Sequence, residues 1–235
     1  AASFALLVYV SAWLKYYEPA AFTCALLNSQ PMGFYSPSQL IQDARRHGVE
    51  IRPADVTASD WDCALEKTNV LRLGLRLIKG LSHRTGENLT KSRKKKPFRD
   101  LEDLMCRINL NQAELQALAR SGALNTLTNS HRRRATWLAS GVLPNAPIFK
   151  SNQIPEGIPM VRSPSKAEET YADYASMGLT LGTHPLELLR PGLRKFNIIT
   201  NVEAQQRHSG NIAHIAGLVV TRQKPATAKE VTFIT

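Results

Sequence analysis

Between Leu71 and Leu124 the chain twice runs through an apolar stretch into a glycine turn, and a cationic run separates the two turns. The first turn is Leu77-Ile78-Lys79-Gly80-Leu81-Ser82. The second is Leu118-Ala119-Arg120-Ser121-Gly122-Ala123-Leu124, and between them lies Lys91-Ser92-Arg93-Lys94-Lys95-Lys96. A glycine has no Cβ, so the backbone there can turn sharply and approach a neighbouring group closely. A helix that starts just after such a turn points its free N–H groups and the positive end of its dipole at whatever lies there. Two such turns beside so many cations predict a tandem pair of helix-hairpin-helix units that hold an anionic backbone.

The charge distribution supports this. The chain of 235 residues carries a net charge of +11, but residues 67–99 alone hold eleven Lys and Arg against one acid, Glu87. Residues 1–66 are net negative, and the rest of the chain is only weakly positive. A local patch of this kind is the footprint of phosphate binding, and it makes DNA the leading partner. A hydrophobic content of 43% is enough for a core and argues against wholesale disorder. Cys24, Cys63 and Cys106 are odd in number and widely spaced, which supports neither a disulfide framework nor a zinc site and fits a cytoplasmic setting. The apolar run Ala1–Leu14 falls short of the ~18–20 residues of a membrane span. It reads as a buried helix, and no membrane partner is expected. The chain has no initiator Met, opens in an apolar helix and stops in a strand-like run, Val231–Thr235, as an excerpt from a longer protein would.

The periodicity predicts a mainly α fold with a small β part. Ser3 is placed to cap a helix to about Tyr17, and Pro19 suits the first turn of a second helix ending near Leu27. Ser36-Pro37-Ser38-Gln39 is a capping box for a helix closed by Gly48. Val49–Pro53 reads as short and extended, and Ala54–Glu66 as irregular. Alternation over Val70–Leu77 predicts a strand with Arg72, Gly74 and Arg76 on one face. Further helices are expected after Lys79, from Phe98 to about Arg107, over Gln112–Ser121 behind an Asn111/Glu114 capping box, and over His131–Ser140 capped by Ser130. Residues 141–166 are proline-rich and read as a linker. Lys166–Leu189 reads as helical with a break at Gly178–Pro185. From Asn211 the pattern suggests the first hairpin of a small β-barrel.

In the first turn, Ile78, Gly86 and Leu89 have the spacing that packs a hairpin's second helix. The usual second glycine of such a hairpin is Ser82, whose hydroxyl can itself donate to phosphate. The candidate phosphate-binding residues are Lys79, Gly80, Ser82, Arg84, Lys91, Arg93, Lys94, Lys95 and Lys96 around the first turn, and Ser121, Gly122, Arg132 and Arg133 around the second. The lysine run alone is equally the mark of a solvated face, a flexible loop or a nuclear-localisation segment. Cations that open a helix, as Arg132–Arg134 do, oppose its dipole and suit a nearby anion, or are simply surface arginines. Asp60-Trp61-Asp62 has the form of a carboxylate pair for two metals, but no third acid accompanies it and a turn or cap reads better. The six histidines lack ligand spacing. Walker A, GxSxG and dinucleotide fingerprints are absent, and Asn88-Leu89-Thr90 is a chance sequon. Trp13, Trp61 and Trp137 read as core.

The order of these segments resembles the bacterial C-family DNA polymerases, and specifically the error-prone paralogue of the DNA polymerase III alpha subunit. Ala1–Tyr9 with Trp13-Leu14-Lys15 and Pro19–Phe22 is similar to a helix pair in that family's fingers. Leu26–Tyr35, Arg52–Val56 and Ser59–Asp62 are similar to the error-prone branch. Gly74–Gly80, Ser121–Leu124, His131–Arg133, Gly178–Gly182 and His184-Pro185 follow in the family's order, so the resemblance is collinear over nearly the whole chain.

The resemblance implies the end of the polymerase fingers at 1–66, a tandem helix-hairpin-helix DNA-binding domain at 67–141, a proline-rich linker and helix at 142–178, and a connector with the start of an OB-fold at 179–235. It implies an error-prone DNA-directed DNA polymerase of damage-tolerant (translesion) synthesis, acting on duplex primer-template DNA. The catalytic carboxylates and their Mg²⁺ would lie outside this chain. It further implies single-stranded template at the OB-fold and, for the intact protein, mutasome or replication partners including the sliding clamp. Ser82 and the lysine-rich loop depart from the usual hairpin pattern. The other readings are a freestanding, non-enzymatic helix-hairpin-helix module and a nonfunctional truncated remnant.

Overall fold

The computed structural model describes residues 2–33, 35–141, 160–219, 221–224 and 231–234. The fold is mainly α with a small β part, divided into two units, 1–182 and 183–235.

The first unit opens with three helices, α1 (Ala2–Tyr17), α2 (Pro19–Asn28) and α3 (Pro37–Arg46). The expected signals form two of them. Pro19 lies in the first turn of α2, and Ser36 with Gln39 makes a full capping box on α3. Ser3, however, lies inside α1 rather than capping it. The apolar residues of α1 are also exposed rather than buried, Phe4 at 72% and Leu6 at 64% among them. The helix is apolar on all sides, so covering one face leaves the rest in water. Trp13 and Trp137, read as core, are exposed as well, whereas Trp61 packs against the core.

A three-stranded sheet follows, in the order β1 (Glu50–Arg52), β3 (Val70–Arg72), β2 (Ala64–Lys67), with β1 parallel and β2 antiparallel to β3. The strand expected over Val70–Leu77 therefore ends at Arg72, and Leu75–Leu77 is a short 3-10 turn. The reason is Gly74, whose ideal Cβ would lie 2.4 Å from the carbonyl carbon of Asp62 and the carbonyl oxygen of Trp61. The loop Asp60–Cys63 crosses the chain there and takes its hydrogen bonds: Leu75 N–H donates to Asp60 O and Arg76 N–H to Trp61 O. Asn28, at the end of α2, clasps the same loop through both the N–H and the carbonyl of Cys63. The region Ala54–Glu66, read as irregular, contributes most of β2, and the sheet straddles position 66.

Four helices complete the hairpin region: α4 (His83–Lys95), α5 (Leu101–Arg107), α6 (Gln112–Arg120) and α7 (Arg132–Gly141). Ser82, Asp100 and Asn111 cap the first three. On α7 the cap hydrogen bond falls to His131 Nδ1, which accepts from Arg134 N–H, and not to Ser130. Leu71, Leu73, Leu75, Leu89, Leu104, Leu115, Leu118 and Leu124 are fully buried and join sheet and helices in one core. Helix α8 (Lys166–Met177) buries Met177 in that core and ends at Gly178, with Leu179 buried beyond it. Most of the expected linker, residues 142–159, lies outside the described residues.

The second unit holds α9 (Pro185–Lys195), β4 (Ile198–Ile199), α10 (Asn201–Gln205), β5 (His214–Ile215), β6 (Arg222–Gln223) and β7 (Phe233–Ile234). Strand β5 pairs in parallel with β4, while β6 and β7 pair antiparallel. No helix among the described residues is long and apolar enough to cross a membrane.

Candidate nucleic-acid interface

Both glycine turns form. Gly80 has φ of +87° and Gly122 of +81°, the left-handed region that favours glycine. The first turn runs from the 3-10 segment through Ile78 into α4, and the second leaves α6 and leads on to α7. Ser82 serves as the cap of α4. Its hydroxyl accepts from Thr85 N–H and is within 2.9 Å of Thr85 Oγ1. That hydroxyl therefore works inside the protein, as a helix cap rather than as a donor to phosphate.

The cationic run is not a loop. Arg93, Lys94 and Lys95 form the last turn of α4, where positive charge complements the negative end of the helix dipole. Helical geometry sorts the run into two faces. Thr85, Gly86 and Leu89 point into the core, and Arg93 follows them inward with its side chain only 10% exposed. Arg93 donates to the carbonyls of Val56 and Ser59 and to a carboxylate oxygen of Asp60. On the opposite side Arg84, Lys91 and Lys95 recur at intervals of seven and four residues, so they share one solvent-exposed stripe. Among the described residues the side chains of Arg84, Lys95 and Lys96 have no partner. Lys91 pairs with Glu87, one helical turn away at 3.1 Å, with 68% of its side chain exposed. Lys94 pairs with Asp60 at 3.0 Å.

Three of the expected phosphate ligands face α8 instead. Lys79 donates its backbone N–H to Ser176 O, and its Nζ to the carbonyls of Tyr174 and Ala175, so it caps the C-terminal end of α8. Arg132, with a side chain 11% exposed, pairs with Glu169 and Asp173, and Arg133 pairs with Glu168 at 2.8 Å. Ser121 is buried and donates to Leu118 O. Glu168 is held down to about 2, first by the N–H of Ser165 and then by the Arg133 guanidinium and the Ser165 hydroxyl. These residues stitch α8 to the hairpins. Their partners on α8 lie 35 to 41 residues beyond the two arginines and 95 to 96 beyond the lysine, so a motif read locally could not show them.

Asp60 and Asp62 are likewise charge partners. Asp60 faces Arg93 and Lys94, and Asp62 faces Arg76 at 2.7 Å. Neither is free to serve as one of a pair of metal ligands. The candidate ligands omit Arg120, an exposed cation at the end of α6, two residues before Gly122, with no partner among the described residues.

This arrangement, two left-handed glycine turns, the first leading into α4 and the second closing α6 with α7 beginning at Arg132, and a one-sided cationic stripe beside the first, is that of a helix-hairpin-helix segment. A family model described as a helix-hairpin-helix motif matches residues 48–135. The whole chain is 51% identical to an error-prone DNA polymerase of Alkalilimnicola ehrlichii, 50% to that of Methylococcus capsulatus and 48% to that of Pseudomonas paraeruginosa. It spans only 23%, 24% and 23% of the length of those relatives. Along its entire length the chain is thus homologous to a segment of the error-prone DNA polymerases.

Proposed function

We propose that this chain is the duplex-gripping segment of an error-prone DNA-directed DNA polymerase, one that serves damage-tolerant synthesis in the cytoplasm. The observation that carries the reading is the stripe Arg84, Lys91 and Lys95 on α4, with Lys96 at its end and the Gly80 turn at its start. Arg84 and Lys95 are eleven residues apart, so the stripe is ~16 Å long, enough to follow several phosphates of a strand. Phosphate contacts of this kind position a protein on DNA without reading its sequence.

The division into fingers, 1–66, tandem hairpins, 67–141, linker and helix, 142–178, and barrel start, 179–235, is part of the proposal. Its first boundary is better drawn near Gly48, where the hairpin family match begins, than through the sheet at position 66. Contacts of an OB-fold with single-stranded template, and of the intact polymerase with a sliding clamp or other replication proteins, belong to the same proposal. Nucleotidyl transfer by such an enzyme uses Mg²⁺ ions that stabilise the attacking and leaving oxygens. The acids of the carboxylate pair do not fit that task. Asp60 and Asp62 are engaged by arginines, and the described residues hold no cluster of three or more metal-ligating side chains. The carboxylates that would hold those ions are proposed to lie in the part of the polymerase outside this chain, as the resemblance to that family implies.

The test is a pair of assays on the chain as it stands. It is expected to bind a 20-bp duplex regardless of sequence and to leave a primer unextended in the presence of Mg²⁺ and nucleotides. Absence of duplex binding refutes the grip, and metal-dependent extension refutes the placing of the active site.

A further inference from the structure

Glu114 lies near the N-terminal end of α6, three residues after its cap. In a capping box its carboxylate would return to the Asn111 N–H. Asn111 does its part and accepts from Glu114 N–H at 2.8 Å. The Glu114 carboxylate goes elsewhere. Its Oε1 accepts from Ser82 N–H at 3.3 Å and from the Thr85 hydroxyl at 2.8 Å, at the opposite hairpin. Glu114 is only 7% exposed. Burial by itself pushes this carboxyl up, but the bonds from Thr85 and Ser82 outweigh it and hold the group below its ordinary value. A nearly buried, ionised carboxylate thus sits against the N-terminus of α4. That is where a hairpin of this type presents its N–H groups and positive dipole end to a nucleic-acid phosphate. Among the described residues, the N–H groups of Gly80, His83 and Arg84 beside it make no hydrogen bond.

We infer that Glu114 is a built-in anion in the phosphate position of the first hairpin. While its carboxylate is in place, the N-terminus of α4 is closed to phosphate, and the first hairpin holds DNA by its lateral cationic face instead of its tip. Ser82, standing where a second glycine is usual, fits this arrangement. A tip that receives a side chain of its own protein needs a cap and a donor for that side chain, not a backbone bare enough for a phosphate to approach. The inference rests on the duplex-grip reading for its biological sense but not for its test.

The test uses inorganic phosphate as the probe and backbone amide NMR of the whole chain as the readout. In the wild type, phosphate leaves the Gly80, His83 and Arg84 amides where they are. In Glu114→Gln, which keeps an acceptor oxygen but removes the charge, those amides are expected to shift saturably, with affinity at least about threefold above the wild type. Glu102→Gln, which removes an exposed acid of α5, controls for net charge and is expected to behave as wild type. Glu114→Met is a second variant with neither charge nor acceptor, and the same shifts are expected. Duplex DNA is expected to bind Glu114→Gln about two- to fivefold more tightly than wild type. Folded variants with a wild-type phosphate response overturn the inference. So does failure of both variants to fold, which makes the carboxylate a requirement of the fold. A wild type that binds no duplex, alongside a variant that gains phosphate binding, leaves the inference standing and removes the grip reading.

Discussion

The seat of α4 against the sheet loop depends on one missing methyl group. An ideal Cβ on Gly86 would lie 2.2 Å from Cε3 and 2.8 Å from Cζ3 of Trp61. The indole cannot swing aside freely, because its other contacts include the imidazole of His83, edge-on at 4.9 Å between ring centroids. Gly86→Ala therefore has two opposing effects. Ala in a helix interior gains about 1 kcal/mol over Gly. Forcing a methyl into a packed aromatic contact costs about 1–3 kcal/mol, and an overlap this deep with a rigid ring belongs at the upper end. The net expectation is a loss of about 2 kcal/mol, or a melting temperature lower by about 6 °C for a unit of this size. Trp61→Ala costs about 3 kcal/mol on its own but removes the obstacle. In that background Gly86→Ala is expected to stabilise, by about 0.5–1 kcal/mol. Urea unfolding of the four proteins in this double-mutant cycle reads the reversal of sign. Stabilisation by Gly86→Ala in the wild type, or destabilisation of equal size in both backgrounds, refutes the packing argument.

Further outcomes follow from other contacts. Asp60→Asn leaves the inward-turned Arg93 with carbonyl partners alone, and is expected to lower stability by about 1–2 kcal/mol after allowance for the partial exposure of Asp60. A loss too small to measure in urea unfolding tells against that pair. The carboxyl of Glu168 is held down to about 2 in the folded state, against 4.5 in a free chain. Its depressed folded value means that its contribution is complete above about 4.5 and is lost as pH falls towards 2. Carboxyl NMR is expected to place its midpoint near 2 in the wild type and higher in Arg133→Gln, whereas a wild-type midpoint above 4 contradicts the Ser165 and Arg133 bonds. The buried thiol of Cys63 is pushed up to about 11, chiefly by burial, while Cys106 is exposed. Alkylation of the native chain at pH 8, followed by peptide mapping, is expected to label Cys106 first and to spare Cys63 until the chain is unfolded.

Local signals were legible in the sequence. Ser36 with Gln39, Pro19, Asn111 and the two glycine turns act within a few residues of themselves, and each does in the structure what its spacing implies. The strand expected over Val70–Leu77 failed at Gly74 because a loop twelve residues earlier presses on that backbone, a tertiary effect that alternation does not encode. The burial expected for α1 failed because its apolar residues occur on every side, and periodicity alone does not say what covers them. For the site, the sequence supplied the right segment but not the side each cation faces. Lys79, Arg132 and Arg133 carry the same charge as Arg84 and Lys95, and only their distance from the acids and carbonyls of α8 separates the two groups. Arg93 and Lys94 are adjacent in the sequence, yet one is turned inward and the other largely exposed, a difference set by the helical period of α4 against Leu89. Glu114 read as part of a capping box, and its reach to Ser82 depended on two hairpins meeting in space.

The central claim is that the outward stripe of α4 holds duplex phosphates, and the salt dependence of duplex binding tests it most directly. With Arg84, Lys91 and Lys95 all replaced by Gln, the slope of log K against log salt concentration is expected to flatten by about 2–3, close to 0.9 for each lost phosphate contact. The replacement pair Lys79→Gln and Arg133→Gln, whose native side chains are tied to α8, is expected to leave the slope unchanged. An unchanged slope in the triple variant, or a larger change in the α8-facing pair, contradicts the account.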